Sequence, residues 1–246
     1  MRFKDKVAIV AGGSQGLGEA IAVSLGAEGA NVQVWDINEE AAQVVAKKIE
    51  AGNGKANATK INAMDYAEVA AGINQVVKDH GKLDIMICTV GGGKLVPFEY
   101  CNFDLFKQQL DFQIDPVFNC AHAALTPMKA QNYGYMLFFV SSTGGQPVLP
   151  GYQAGKAAVQ SIIQSVAAEL ELFRIKVNIN GILPGMVDTP LTRGAFAAMP
   201  GGQKRLDDSI AAKARGISLP EYVASVALFL VSDDAHRVSG QVITMF

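Results

Sequence analysis

Cysteine and histidine are scarce in this chain, and long apolar runs are missing from it. The three cysteines, Cys88, Cys101 and Cys120, are odd in number and show no C-x-x-C spacing. That pattern argues against a disulfide framework or a thiolate metal site and fits buried, reduced thiols in a cytoplasmic protein. His80, His122 and His236 stand apart, without the H-E-x-x-H spacing that sets two imidazoles on one helix face, so no metal is expected. No apolar stretch approaches the roughly 18 residues that span a bilayer. The opening residues, Met1-Arg2-Phe3-Lys4-Asp5-Lys6, carry no secretory pattern. Charge of either sign is also in short supply: 21 Lys and Arg face 23 Asp and Glu, for a net charge of −2. Such a balance gives no general attraction to nucleic acid or to an anionic membrane. Small basic clusters such as Lys47-Lys48 and Lys204-Arg205 read as solvated helix faces. A soluble enzyme acting on a small molecule is the expectation these absences leave.

What the chain does have is apolar residues in ordered blocks. Half of its 246 residues are hydrophobic, enough to bury a sheet on both faces. Apolar strand runs fall near 6–11, 31–36, 56–61, 84–88, 134–141, 175–181 and 241–245. Helical runs fall near 17–29, 39–51, 66–80, 103–130, 152–173 and 220–232. This alternation predicts an α/β fold: a single domain over 1–246 built as a doubly wound, Rossmann-like parallel sheet of about seven strands with helices on both faces. The segment 186–218 breaks the pattern. It sets Gly194, Pro200, Gly201 and Gly202 among Leu191, Phe196 and Met199, a composition suited to a mobile lid over a substrate.

Three features carry chemistry. The first is Gly12-Gly13-Ser14-Gln15-Gly16-Leu17-Gly18, between the first strand and the first helix. Backbone N–H groups and the helix dipole there attract a pyrophosphate, and glycine lets the backbone approach it. A glycine turn needed only for steric reasons would look similar. The second is Asp36, at the end of the second strand, where a dinucleotide fold places the carboxylate that binds ribose hydroxyls. That carboxylate repels a 2′-phosphate, and position 15 is Gln rather than a base, so NAD is the expected cofactor. Capping of the helix that starts near Asn38 is the plainer role for Asp36. The third is Tyr152 with Lys156, one helical turn apart, which places an ammonium about 5–6 Å from a phenol. Tyrosine titrates near 10, so the pair makes a useful acid/base only in a partly dry pocket.

In order and spacing these features resemble the short-chain dehydrogenase/reductase family over essentially the whole chain. Leu83-Asp84-Ile85-Met86-Ile87, Phe138-Phe139-Val140 followed by Ser141-Ser142, Val177-Asn178, Pro184-Gly185, Thr189 and Ser239-Gly240-Gln241 add to the match. The resemblance implies an oxidoreductase that interconverts a secondary alcohol and a ketone. Tyr152 would be the general acid/base. Lys156 would lower its pKa and hold the nicotinamide ribose, and Ser142 would hydrogen-bond the substrate oxygen. The interval from serine to Tyr152 is shorter than usual and holds Pro147 and Pro150, so Ser141 and Ser142 are both candidates. Cofactor contacts are implied for Gly12, Ser14, Gln15, Gly16, Leu17, Gly18, Asp36, Asn62, Val90, Gly91, Tyr152, Lys156, Pro184, Gly185, Val187 and Thr189.

The chain departs from the family pattern in several places. Cys88-Thr89-Val90-Gly91 replaces Asn-Asn-Ala-Gly, losing the asparagines that brace neighbouring strands. Gln113 stands where the family has a fourth catalytic residue, an asparagine. Its amide would hold a relay water one methylene further out. Asn62 replaces an aspartate near the adenine. The inferred pocket draws on Val96, Phe98, Val148, Leu149, Met186, Leu191 and Phe196, which suits a largely apolar alcohol or ketone. A 3-oxoacyl thioester reductase and a ring-alcohol or sterol dehydrogenase are both compatible. A catalytically weak dinucleotide-binding sensor or structural subunit is the alternative of another class. Family members pair the helices near 103–130 and 152–173 into homodimers and homotetramers. Phe106, Leu110, Val159, Ile163 and Val166 are the residues expected to serve that pairing.

Overall fold

The computed structural model describes residues 1–141, 148–197, 201–211 and 217–245. Seven strands form one sheet in the order β3-β2-β1-β4-β5-β6-β9, with every pairing parallel. In chain order they are β1 Val7–Ala11, β2 Asn31–Asp36, β3 Lys55–Lys60, β4 Ile85–Cys88, β5 Gly134–Phe139, β6 Val177–Leu183 and β9 Val242–Thr244. Helices α1 Gly16–Ala27, α2 Glu39–Ala51, α3 Tyr66–His80, α4 Phe103–Gln131, α5 Pro150–Leu172 and α8 Pro220–Leu230 connect them.

The strands are uniform apolar runs because both faces are covered. Along β1, Val7, Ile9 and Ala11 pack with α3, α4 and α5, while Ala8 and Val10 pack with α1, α2 and α8. Asn38, Asp65 and Asn102 start α2, α3 and α4 by accepting first-turn N–H groups. Strand order reverses between β1 and β4, which leaves a crevice at the carboxyl ends of those strands.

Segment 186–218 is more regular than its composition suggests. It holds β7 Met186–Val187, α6 Pro190–Ala197, α7 Gly202–Ala211 and β8 Ile217–Ser218, with β7 and β8 paired in parallel. Gly194 lies inside α6, where a Cβ would meet nothing within 4 Å. Helices this short show little periodicity, and the glycine hides what there is. Met199 and Pro200 lie outside the described residues.

Two further expectations change. Val159 and Ile163 do not serve pairing of chains: both are fully buried against the sheet of their own chain. The exposed apolar residues of α4 are instead Phe103, Phe112 and Phe118. Cys88 and Cys120 are buried as expected, but Cys101 is half-buried. Among the described residues no helix is long and apolar enough to cross a membrane.

Asp84 fastens the foot of the central strands. Its buried carboxylate accepts from the Val7 N–H at 2.8 Å and pairs with Lys82 at 3.0 Å. Asp84→Ala strands a buried N–H, and the expected loss is about 1–3 kcal/mol. Urea unfolding should show a lower midpoint at unchanged slope.

Candidate active site

The glycine loop closes over the carboxyl end of β1 by contacts that admit no side chain. A Cβ on Gly18 would lie 2.0 Å from the Gly12 carbonyl oxygen, and one on Gly12 would lie 2.7 Å from Thr89 Oγ1. Gly12 and Gly16 also sit at φ +76° and +57°, where glycine carries no penalty. The Thr89 hydroxyl reaches the Gly12 and Ala11 carbonyls at 3.0 and 3.1 Å. It braces β4 to β1, the task expected to be lost with the family's asparagines. Helix α1 starts at Gly16 with no side-chain cap from Gln15, so its first N–H groups face the crevice.

A groove of about 270 Å³ follows this loop. Its wall includes Gly12, Gln15, Gly16, Leu17, Gly18, Asp36, Asn62, Val90, Gly91 and Thr189, as the sequence suggested. Among the described residues no Lys or Arg lines it. Asp36 Oδ2 accepts from Ser14 N at 3.2 Å and Oδ1 from Asn38 N at 3.1 Å, so this carboxylate fixes the loop as well as the wall. The helix cap itself is Asn38, not Asp36. Thr189 lies across the groove, with Cβ and Cγ2 each 3.5 Å from the place a Gly16 Cβ would take. Its hydroxyl accepts from Thr192 N at 3.3 Å in the first turn of α6.

Ile37, Met64 and Phe112 also line the groove and were not foreseen, whereas Leu191, expected in the substrate pocket, lies on the groove wall. Only the neighbours of the first three, Asp36, Asn62 and Gln113, gave a signal; the side chains themselves are ordinary apolar residues. Ser14, Pro184, Gly185, Val187, Tyr152 and Lys156 are absent from the groove wall. Val187 packs its side chain into the core beside α8, and Ser14 turns its N–H to Asp36.

Tyr152 stands further along the crevice, on the first turn of α5. Burial holds its hydroxyl above the ordinary tyrosine range, and a hydrogen bond with the Ser141 side chain opposes that shift. Ser142 lies outside the described residues; Ser141 is the serine brought to Tyr152. Lys156 is buried, with Nζ 5.9 Å from the Tyr152 ring centre and 2.8 Å from the Phe139 carbonyl, to which it donates. Desolvation pushes the Lys156 amine down to about 8. The Lys156 ammonium points at the Phe139 carbonyl, and burial is the larger influence on the Tyr152 hydroxyl.

Gln113 is also buried, and its amide is turned onto backbone. Nε2 donates to the Gly92 carbonyl, and Oε1 accepts from Gly92 N at 3.3 Å. The extra methylene carries the amide onto the backbone. Gly91 is wedged in the same place: a Cβ there would lie 2.9 Å from Gln113 Oε1 and 3.0 Å from Lys156 Nζ. Gly93 packs against Tyr152 in turn, its Cβ position 3.0 Å from the tyrosine Cβ. The three glycines therefore run in a cleft between α4 and the Tyr152–Lys156 pair, pinned by Gln113.

Residues 6–200 match the profile of the short chain dehydrogenase family. The chain belongs to the short-chain dehydrogenase/reductase family. It is 33% identical over 250 residues to a 3α-hydroxysteroid dehydrogenase of Mediterraneibacter gnavus, covering 100% of this chain and 97% of the relative. The structure of levodione reductase superposes with a TM-score of 0.91 at 27% identity, over 99% of this chain and 97% of that one. A 7α-hydroxysteroid dehydrogenase complexed with NADH and 7-oxo glycochenodeoxycholic acid superposes with a TM-score of 0.88 at 28% identity. It covers 99% of this chain and 94% of that one. The family's members are oxidoreductases, and the glycine cradle, the open α1 terminus and Asp36 fit a nicotinamide dinucleotide.

The buried amine has a consequence for stability. Lys156 titrates at about 8 when folded and at the ordinary 10.5 when unfolded. Between these values the unfolded chain holds the extra proton, so folding stability rises with pH across that window. Below pH 8 the buried charge costs about 3 kcal/mol. Lys156→Met should remove this contribution, so from pH 8 to 10.5 the variant's unfolding free energy should climb less than the parent's.

Proposed function

We propose that this protein is an NAD(H)-dependent oxidoreductase that interconverts a secondary alcohol and a ketone, with Tyr152 as general acid/base. The observation that carries the reading is Tyr152 on the first turn of α5, set against the glycine strand and one helical turn from buried Lys156, next to a groove walled by Asp36. A bound nicotinamide supplies the hydride chemistry. Ser141 orients the substrate oxygen towards the Tyr152 hydroxyl. Burial keeps that hydroxyl protonated, ready to be donated as a ketone is reduced, and it takes the proton back in the reverse direction. Lys156 places a positive charge beneath the exchange. Gln113 acts by holding the glycine strand on which Tyr152 rests.

Asp36 supports NAD over NADP, since its carboxylate accepts from ribose hydroxyls and repels a 2′-phosphate. Leu191 and Phe112 flank Gly92, at 3.7 and 3.8 Å from its outward Cβ position. Residues 186–218 would then close an apolar lid over the substrate. That lining, together with the hydroxysteroid dehydrogenases among the relatives, favours an apolar ring alcohol.

The reading is tested by turnover over a panel of ring ketones, ring alcohols and a 3-oxoacyl thioester with both coenzymes. NADH binding without turnover on any member would leave a dinucleotide sensor instead. Tyr152→Phe should lower turnover by about 100-fold or more with NADH affinity nearly intact. Ser141→Ala should slow turnover more than Ser142→Ala. Asp36→Ala should weaken NADH and narrow the preference over NADPH; a parent enzyme that used NADPH better would refute the coenzyme assignment.

A further inference from the structure

The helix that carries Tyr152 begins without a cap. Leu149 is the N-cap residue of α5 and makes no side-chain hydrogen bond, whereas α2, α3 and α4 have Asn38, Asp65 and Asn102 in that position. Pro150 has no N–H to satisfy. Gln153 N reaches the Leu149 carbonyl at 3.0 Å. Among the described residues the N–H groups of Gly151 and Tyr152 have no acceptor.

Beside this turn lies a side chain with the opposite deficit. Gln109 on α4 is 6% exposed, and among the described residues neither Oε1 nor Nε2 has a hydrogen-bond partner. A buried amide left unpaired is costly. Gln109 Cβ lies 2.8 Å from the place a Gly151 Cβ would occupy, so this residue packs on the first turn of α5. Helices α4 and α5 follow neighbouring strands of one parallel sheet, so their N-termini lie at the same end. Helical side chains lean towards the N-terminus of their own helix. The Gln109 amide therefore leans towards the end at which the Gly151 and Tyr152 N–H groups open.

We propose that Gln109 is a positioning residue that caps α5 through one water molecule and so fixes the backbone bearing Tyr152. No direct bond joins the amide to the helix end. A water accepts from a first-turn N–H and donates to Gln109 Oε1, which gives each of those two groups a partner. This inference rests on the acid/base role of Tyr152, but its primary readout does not.

The test is Gln109→Leu, which keeps the bulk and deletes the amide. Amide hydrogen exchange at Gly151 and Tyr152 should quicken about tenfold, and kcat should fall by a similar factor with NADH affinity unchanged. Adding Leu149→Ser supplies a direct cap oxygen and should restore both in the double variant. Gln109→Met repeats the measurement if leucine at 109 prevents folding. A raised thermal midpoint with unchanged exchange and kcat would make Gln109 a packing residue and overturn the proposal. Faster exchange, reversed by Leu149→Ser, with unchanged kcat would uphold the cap and count against Tyr152 as the acid/base.

Discussion

The approach of α1 to β1 at the glycine loop is the constraint on which the site depends. A side chain on Gly18 would overlap the Gly12 carbonyl at 2.0 Å, so helix and strand meet backbone to backbone. That contact sets the height of α1 above the sheet, aims its first N–H groups into the crevice, and brings the loop within reach of Thr89 and Asp36. Substituting a larger residue there would displace backbone rather than a flexible side chain, and overpacking of this kind costs about 1–3 kcal/mol or more.

The other end of the crevice is organised by buried polar groups. Lys156 and Gln113 each lie nearly out of water beside the crevice. Lys156 is tethered to the Phe139 carbonyl, and Gln113 grips both polar atoms of Gly92. Such groups destabilise the fold unless paired, and paired they define one geometry. The glycine strand between α4 and Tyr152 illustrates this. It has no side chains with which to hold itself, and the Gln113 amide does the holding.

The departures from the family pattern look different in three dimensions. Replacement of the asparagine pair suggests a weakened site, yet Thr89 takes over the bracing of β1 and Gln113 that of the glycine strand. Both substitutions preserve hydrogen bonds to backbone while changing the side chain that makes them.

The sequence by itself determined the seven-strand sheet and the six long helices, because a sheet buried on both faces writes continuous apolar runs into the chain. It also determined the glycine loop, Asp36 and the Tyr152–Lys156 pair, whose residue types at fixed spacing are demanded by backbone sterics and helical geometry. Only the tertiary structure decided that Ser141 meets Tyr152, that the Lys156 ammonium turns to Phe139, that Gln113 grips Gly92, and that Val159 and Ile163 face their own sheet. It likewise revealed α6 and α7, too short for a periodic signal, and the groove residues Ile37, Met64 and Phe112. These depend on which side chains meet across elements far apart in the chain, and on how deeply each is buried. Local spacing carries no record of either.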